Sequence, residues 1–232
     1  PLIEGLGGEV IEVSATSPNH INAMDMEQGY GDGENPVVLK SEFLLSLCEQ
    51  LIGAGKLSAK EKSIIDRCTA LVYQDAERTG RIATLCDLRE KLLEQPEEKA
   101  KDIALSLELF TTGSLDIFGR ESTVDLDKRV VVFDIRGLGQ QLKPTGLLVI
   151  TDTILNRVTL NWKRGKRTHV FLDEFHVVFE NEQSGVFFNS AWRQFRKRGA
   201  YPTAITQNVE YLLDSVQAST MLSNSEFIVM LN

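Results

Sequence analysis

Asp173 and Glu174 stand side by side at the end of a short apolar run, Val170 to Leu172, and the apolar character resumes at once with Phe175. Two adjacent carboxylates closing a strand suit metal and water chemistry better than they suit a core. At the carboxyl end of a parallel strand they face the crevice where ligands of open α/β sheets bind. This is the Walker B layout: Asp173 holds Mg²⁺ through its water shell, and Glu174 orients or deprotonates the attacking water. The plainer reading is two solvated acids ahead of a helix, favoured there by the helix dipole.

Two further groups bear on that choice. Gln207 directly follows a strand-like run ending in Thr206. If that strand neighbours the acidic one, its amide can donate to a phosphate oxygen and accept from water at once; otherwise it is a polar residue opening a loop. The basic run 193–198 ends a helix, and its guanidinium groups could neutralise charge on a phosphoryl group held by a neighbouring subunit. Arg196 is the first candidate for such a finger and Arg198 the second. Cations at a helix C-terminus are also favoured with no function attached. A third basic stretch, 163–167, reads as a solvated loop with local nucleic-acid contact as the alternative.

A decoy lies at 53–58, G-A-G-K-L-S. It fails the phosphate-loop spacing G-x-x-x-x-G-K-[ST], because Gln50 stands where the first glycine belongs and Leu57 where Ser or Thr is required. It also joins two helices, whereas a phosphate loop joins a strand to a helix. His20 and Asn22, in the Gly- and Asn-rich stretch 14–36, are explained by turn chemistry.

Composition narrows the class. With 232 residues, 42% hydrophobic and 25% charged, the chain can build one or two globular domains. No apolar run is long enough to span a bilayer and no signal peptide is present, so a cytoplasmic protein is expected. A net charge of −8 repels polyanions except where basic residues cluster. Cys48, Cys68 and Cys86 form no close pair and read as reduced packing residues. The chain starts at Pro1 and stops after the apolar run 227–231, so it reads as a fragment of something longer.

The elements that must position these residues follow from periodicity. A strand is expected at 9–13. Helical spacing then dominates: 39–52 ending at Gly53, a helix capped by Ser58 with Glu61, one capped by Thr84, and one with Pro96 in its first turn that Gly113 stops. Beyond residue 113, strand runs at 129–135, 169–172, 202–206 and 227–231 alternate with helical ones at 142–160, 187–198 and 209–223. That alternation predicts a parallel sheet flanked by helices. The divisions are 1–36 (strand and loop of an α/β core), 37–120 (an all-α subdomain) and 121–232 (the rest of the core).

Taken together, L-D-E-F (172–175), W-R-Q-F-R-K-R-G (192–199), T-A-I-T-Q-N (203–208) and M-L-S-N-S-E-F-I-V-M-L-N (221–232) resemble the conjugal-transfer, type IV secretion ATPases of the FtsK/HerA-like branch. The earlier segments G-G-E-V-I-E-V-S (7–14), I-N-A-M-D (21–25), F-T-T-G-S-L-D-I-F (110–118) and V-V-V-F-D-I-R-G-L (130–138) look like that family's pattern too. The resemblance implies a partial RecA-like P-loop ATPase core with an inserted all-α subdomain. It further implies ATP and Mg²⁺ as ligands and a homo-hexameric motor at the inner face of the bacterial membrane, working with other secretion-channel components in pilus assembly or substrate transfer. By that likeness Asp173 and Glu174 are Walker B, Gln207 the sensor, and Arg196 or Arg198 the finger. The family's phosphate loop is absent from these residues, so the chain by itself is expected neither to bind ATP tightly nor to hydrolyse it. A DNA translocase of the same fold, tracking DNA with its basic segments, and a non-catalytic scaffold docking partners on its helical subdomain are the competing readings.

Overall fold

The computed structural model describes residues 2–26, 30, 35–53, 55–113, 115–139, 142–180, 182–207 and 215–230. After a single helical turn, α1 (Leu2–Gly5), strand β1 (Glu9–Glu12) leads to a run of helices: α2 (Pro36–Ile52), α3 (Ala59–Thr79), α4 (Leu85–Leu93), α5 (Glu98–Ser106) and α6 (Glu108–Thr111). Then follow β2 (Val131–Asp134), α7 (Lys143–Lys163), β3 (Thr168–Leu172), α8 (Glu182–Lys197), β4 (Ala200–Ala204) and α9 (Val216–Ser223).

The helix boundaries obey local chemistry. Asn35 accepts from the Val37 amide ahead of Pro36, which needs no N–H partner at the helix start. Ser58 and Glu61 form the expected capping box, and Thr84 and Asp87 form a second. Gly53 closes α2, so the 53–58 glycines serve a helix-to-helix turn. Pro96 lies outside its helix: α5 starts at Glu98 with Glu97 as cap, and the apolar stripe continues into α6 after a break at Leu107.

Four strands form two parallel pairs. β1 runs beside β2, with Glu9 opposite Val131 and Glu12 opposite Asp134, and β3 runs beside β4, with Thr168 opposite Ala200 and Leu172 opposite Ala204. The expected single sheet is thus two short ones among the described residues. Its strands are also less buried than their sequences suggest: β2 is half-buried throughout, and Phe171 of β3 is 69% exposed. Paired residues of parallel strands share a face, and among the described residues one face of β3–β4 is covered. Val170 and Ala200 pack on Leu155 and Val158 of α7 and on Ala191 and Phe195 of α8, while His169 and Tyr201 stack on the opposite, open face at 5.0 Å.

The largest apolar cluster joins β1 to α2 through α5 and to α7, so the helical region and the α/β elements share packing. The strand expected at 227–231 is not formed over 227–230, whose apolar side chains stand in solvent, from Phe227 at 85% to Met230 at 87% exposed. A strand needs a neighbour for its backbone groups, and no described strand runs beside this segment. The last helix is described from Val216; the earlier part of the expected 209–223 helix lies outside the described residues.

Candidate active site

The acidic pair sits where β3 stops. Leu172 is the last residue of the strand, Asp173 and Glu174 make an exposed turn, and Phe175 begins a 3-10 helix, Phe175–Glu180. Phe175 is the anchor. Its buried ring lies 5.0 Å from Phe179, 5.4 Å from Phe188 and 5.8 Å from Trp192, tying the turn to α8. Edge-on and tilted aromatic contacts of this kind fix geometry beyond the area they bury.

On its other side the turn is held by the strand next to it. Ile205 donates its amide to the Leu172 carbonyl (2.8 Å) and accepts from the Phe175 amide at its own carbonyl (3.0 Å), so one residue of the β4 exit brackets both acids. Between the two anchored points Glu174 adopts φ +50, the left-handed region that side chains other than glycine avoid. The Asp173 carboxylate accepts from the Glu174 amide at 2.9 Å and holds that bend. Strain kept at an exposed acid is a recurrent mark of functional turns.

The parallel β3–β4 pairing meets the condition set for Gln207. Thr206 and Gln207 leave β4 at the same edge as Asp173 and Glu174, and Gln207 is exposed. His176 joins the two chain segments: its Nδ1 lies 3.5 Å from a Glu174 carboxylate oxygen and 3.4 Å from the Thr206 hydroxyl.

The two finger candidates part company. Arg196 is exposed near the end of α8 and pairs loosely with Glu226 at 3.6 Å. Arg198 is 8% exposed and donates to the Thr159 hydroxyl of α7 at 2.6 Å. Its guanidinium lies against the α7–α8 interior. In the basic run 163–167, Arg164 reaches Asp127 at 3.6 Å.

Oxygen donors suit Mg²⁺, which takes one or two protein carboxylates and completes its shell with water and phosphate. The exposed carboxylates of Asp173 and Glu174 beside Thr206 and Gln207 fit that demand. No cluster of three or more metal-ligating side chains occurs among the described residues. The sequence contains no G-x-x-x-x-G-K-[ST] string.

A second polar cluster escaped the sequence reading. Lys40 of α2 is wholly buried and donates to Asp152 of α7 at 2.5 Å and to the Ala23 carbonyl at 3.2 Å, with its ammonium 4.8 Å and 4.9 Å from the ring centres of Tyr30 and Phe43. The Tyr30 hydroxyl donates to the other Asp152 oxygen at 2.8 Å. Burial and then the Asp152 charge raise the Tyr30 pKa, which keeps that proton in place. The signal was present: Lys40 lies three, four and seven residues before Phe43, Leu44 and Leu47, on the buried stripe of α2. Nearby, Asn22 donates to Asp25 (2.7 Å) and the Ala83 carbonyl (2.8 Å) and accepts from the Met24 amide, the turn role expected of it.

This arrangement of helices and short parallel sheets has a counterpart among solved structures. The chain superposes on VirB4 of Thermoanaerobacter pseudethanolicus with a TM-score of 0.79 over 97% of its length, at 18% identity. The chain has the VirB4 fold. It spans 63% of that VirB4 structure. The bacterial conjugative coupling protein TrwBΔN70, crystallised with sulphate, aligns over 92% of this chain and 55% of its own at 14% identity, with a TM-score of 0.49. No protein-family model and no curated protein sequence matches the chain. The VirB4 fold is the α/β architecture that the sequence resemblance implied. No helix among the described residues is long and apolar enough to cross a membrane.

Proposed function

We propose that this chain belongs to the ATPase motor of a type IV secretion or conjugation machine, with Asp173, Glu174 and Gln207 as its metal- and water-handling set. The observation that carries this reading is the pairing of β3 with β4 in a VirB4 fold, which brings the acidic turn and Thr206–Gln207 to one edge. Bound Mg²⁺·ATP supplies the electrophilic phosphorus and the cation that neutralises its oxygens. Asp173 would hold the metal through water. Glu174 takes a proton from, or aligns, the attacking water. Gln207 donates from its amide nitrogen toward phosphate and accepts from that water at its carbonyl oxygen. Arg196, exposed at the end of α8, is the finger candidate for a neighbouring subunit in a hexamer.

The test is ATP turnover by the gene product translated from its start codon, with and without Glu174→Gln. Turnover that the substitution removes supports the motor; turnover indifferent to it refutes the assignment. The 232 residues by themselves, lacking a phosphate-loop string, should show no tight Mg²⁺-dependent ATP binding by calorimetry.

A further inference from the structure

His176 is not part of the acidic pair or of the Gln207 strand, yet its ring touches both. A carboxylate can only accept hydrogen bonds, so a hydrogen bond across the 3.5 Å between His176 Nδ1 and the Glu174 carboxylate takes the proton on Nδ1. The Thr206 oxygen, 3.4 Å from the same nitrogen, is within reach of that N–H as a second acceptor.

Three successive links therefore join the acidic turn to the β4 exit: Ile205 amide to Leu172 carbonyl, Phe175 amide to Ile205 carbonyl, and His176 ring to Thr206. Only the last involves the reactive carboxylate. The backbone links fix where the Glu174 α-carbon sits, while its side chain leaves a left-handed residue and is 54% exposed. The imidazole supplies the missing restraint. It also sets the carboxylate relative to Thr206 and so to its neighbour Gln207.

We infer that His176 is a positioning residue that holds the Glu174 carboxylate in register with the Gln207-bearing end of β4. The role rests on the proposed function for its kinetic consequence, but the tie itself does not. A positioning partner of this kind typically changes activity by about 10–100-fold when removed. Because the ring is tied to a solvent-facing acid, its loss should change turnover far more than folding.

Two measurements test this. In the 232-residue chain, ¹⁵N NMR of the imidazole should show Nδ1 protonated, and Glu174→Ala should shift the ring toward the Nε2–H tautomer. In the full gene product, His176→Phe should lower kcat about tenfold. The KM for ATP and the melting temperature should stay close to wild type. His176→Asn, whose amide N–H falls where Nδ1–H was, should restore most of kcat. An Nε2–H ring in the wild type, a tautomer unmoved by Glu174→Ala, or a kcat unmoved by His176→Phe while Glu174→Gln abolishes turnover would each overturn the inference. Should Glu174→Gln leave turnover intact, the motor assignment fails instead, and the NMR result alone decides whether the ring holds Glu174.

Discussion

Lys40→Met removes the cation from a buried ion pair. The lysine side chain is 0% exposed and the Asp152 side chain 3%, so the variant leaves Asp152 buried with the Tyr30 hydroxyl as its remaining side-chain donor among the described residues. Breaking a buried ion pair from one side costs about 3–5 kcal/mol, because the surviving charge has lost its partner. Methionine nearly matches the lysine stem in volume, which keeps the cavity contribution small. The two aromatic contacts of the ammonium add to the loss, each about 0.5–2 kcal/mol when desolvated. Asp152→Asn should be similarly costly, since it strands the lysine charge. The double variant Lys40→Met/Asp152→Asn removes both charges and keeps an acceptor for Tyr30, so it should lose only about 1–2 kcal/mol relative to the native chain. Urea unfolding followed by circular dichroism reads all four proteins as a double-mutant cycle. A single-variant cost below about 1 kcal/mol, or strict additivity, would refute the claim that this pair locks α2 onto α7.

Other substitutions probe the remaining features. Glu174→Gly relieves a left-handed side chain, worth roughly 1–2 kcal/mol, and returns part of it through the freer unfolded glycine, for a net gain of about 0.5–1 kcal/mol. A loss above about 1 kcal/mol in urea unfolding would mean that the Glu174 carboxylate is a structural element. Arg198→Met should cost about 2 kcal/mol by leaving the α7–α8 interior without its charged donor, whereas Arg196→Ala should fall within about 0.5 kcal/mol. Equal effects would contradict their different burial. At the end of β2, the guanidinium and backbone amide of Arg136 hold the Asp134 carboxyl down to about 2. An acid whose folded pKa is depressed stabilises the fold above its unfolded value, about 3.9, and loses that contribution as pH falls toward 2. NMR titration of Asp134 should therefore return toward about 3.9 in Arg136→Ala and stay low in the parent.

Much of this was legible from residue types because the decisive features are local. Asp173 and Glu174 interrupt an apolar run, and the structure ends β3 one residue before them. The capping residues Ser58, Glu61 and Thr84 define helix starts by side-chain chemistry, and they do so here. What the sequence could not display is pairing. The run 227–231 has strand composition, but a strand exists only beside a partner, and residues 227–230 lie exposed. Arg196 and Arg198 differ by two positions, which on a helix turns them to different sides; spacing from Phe188, Ala191 and Phe195 carries that distinction. His176 reads as one more residue in an apolar stretch until β4 brings Thr206 beside it. Lys40 was hidden by its charge, although its position on the α2 stripe marked it as buried.

In the proposed motor, Glu174 is the carboxylate acting on water where β3 and β4 end. Steady-state ATP hydrolysis by the full gene product, compared with its Glu174→Gln form at saturating ATP, tests it most directly. Glutamine keeps the shape and removes the base, so the account predicts a fall in kcat of about 10²–10⁴ with ATP still bound. Hydrolysis at the parental rate in Glu174→Gln would contradict it.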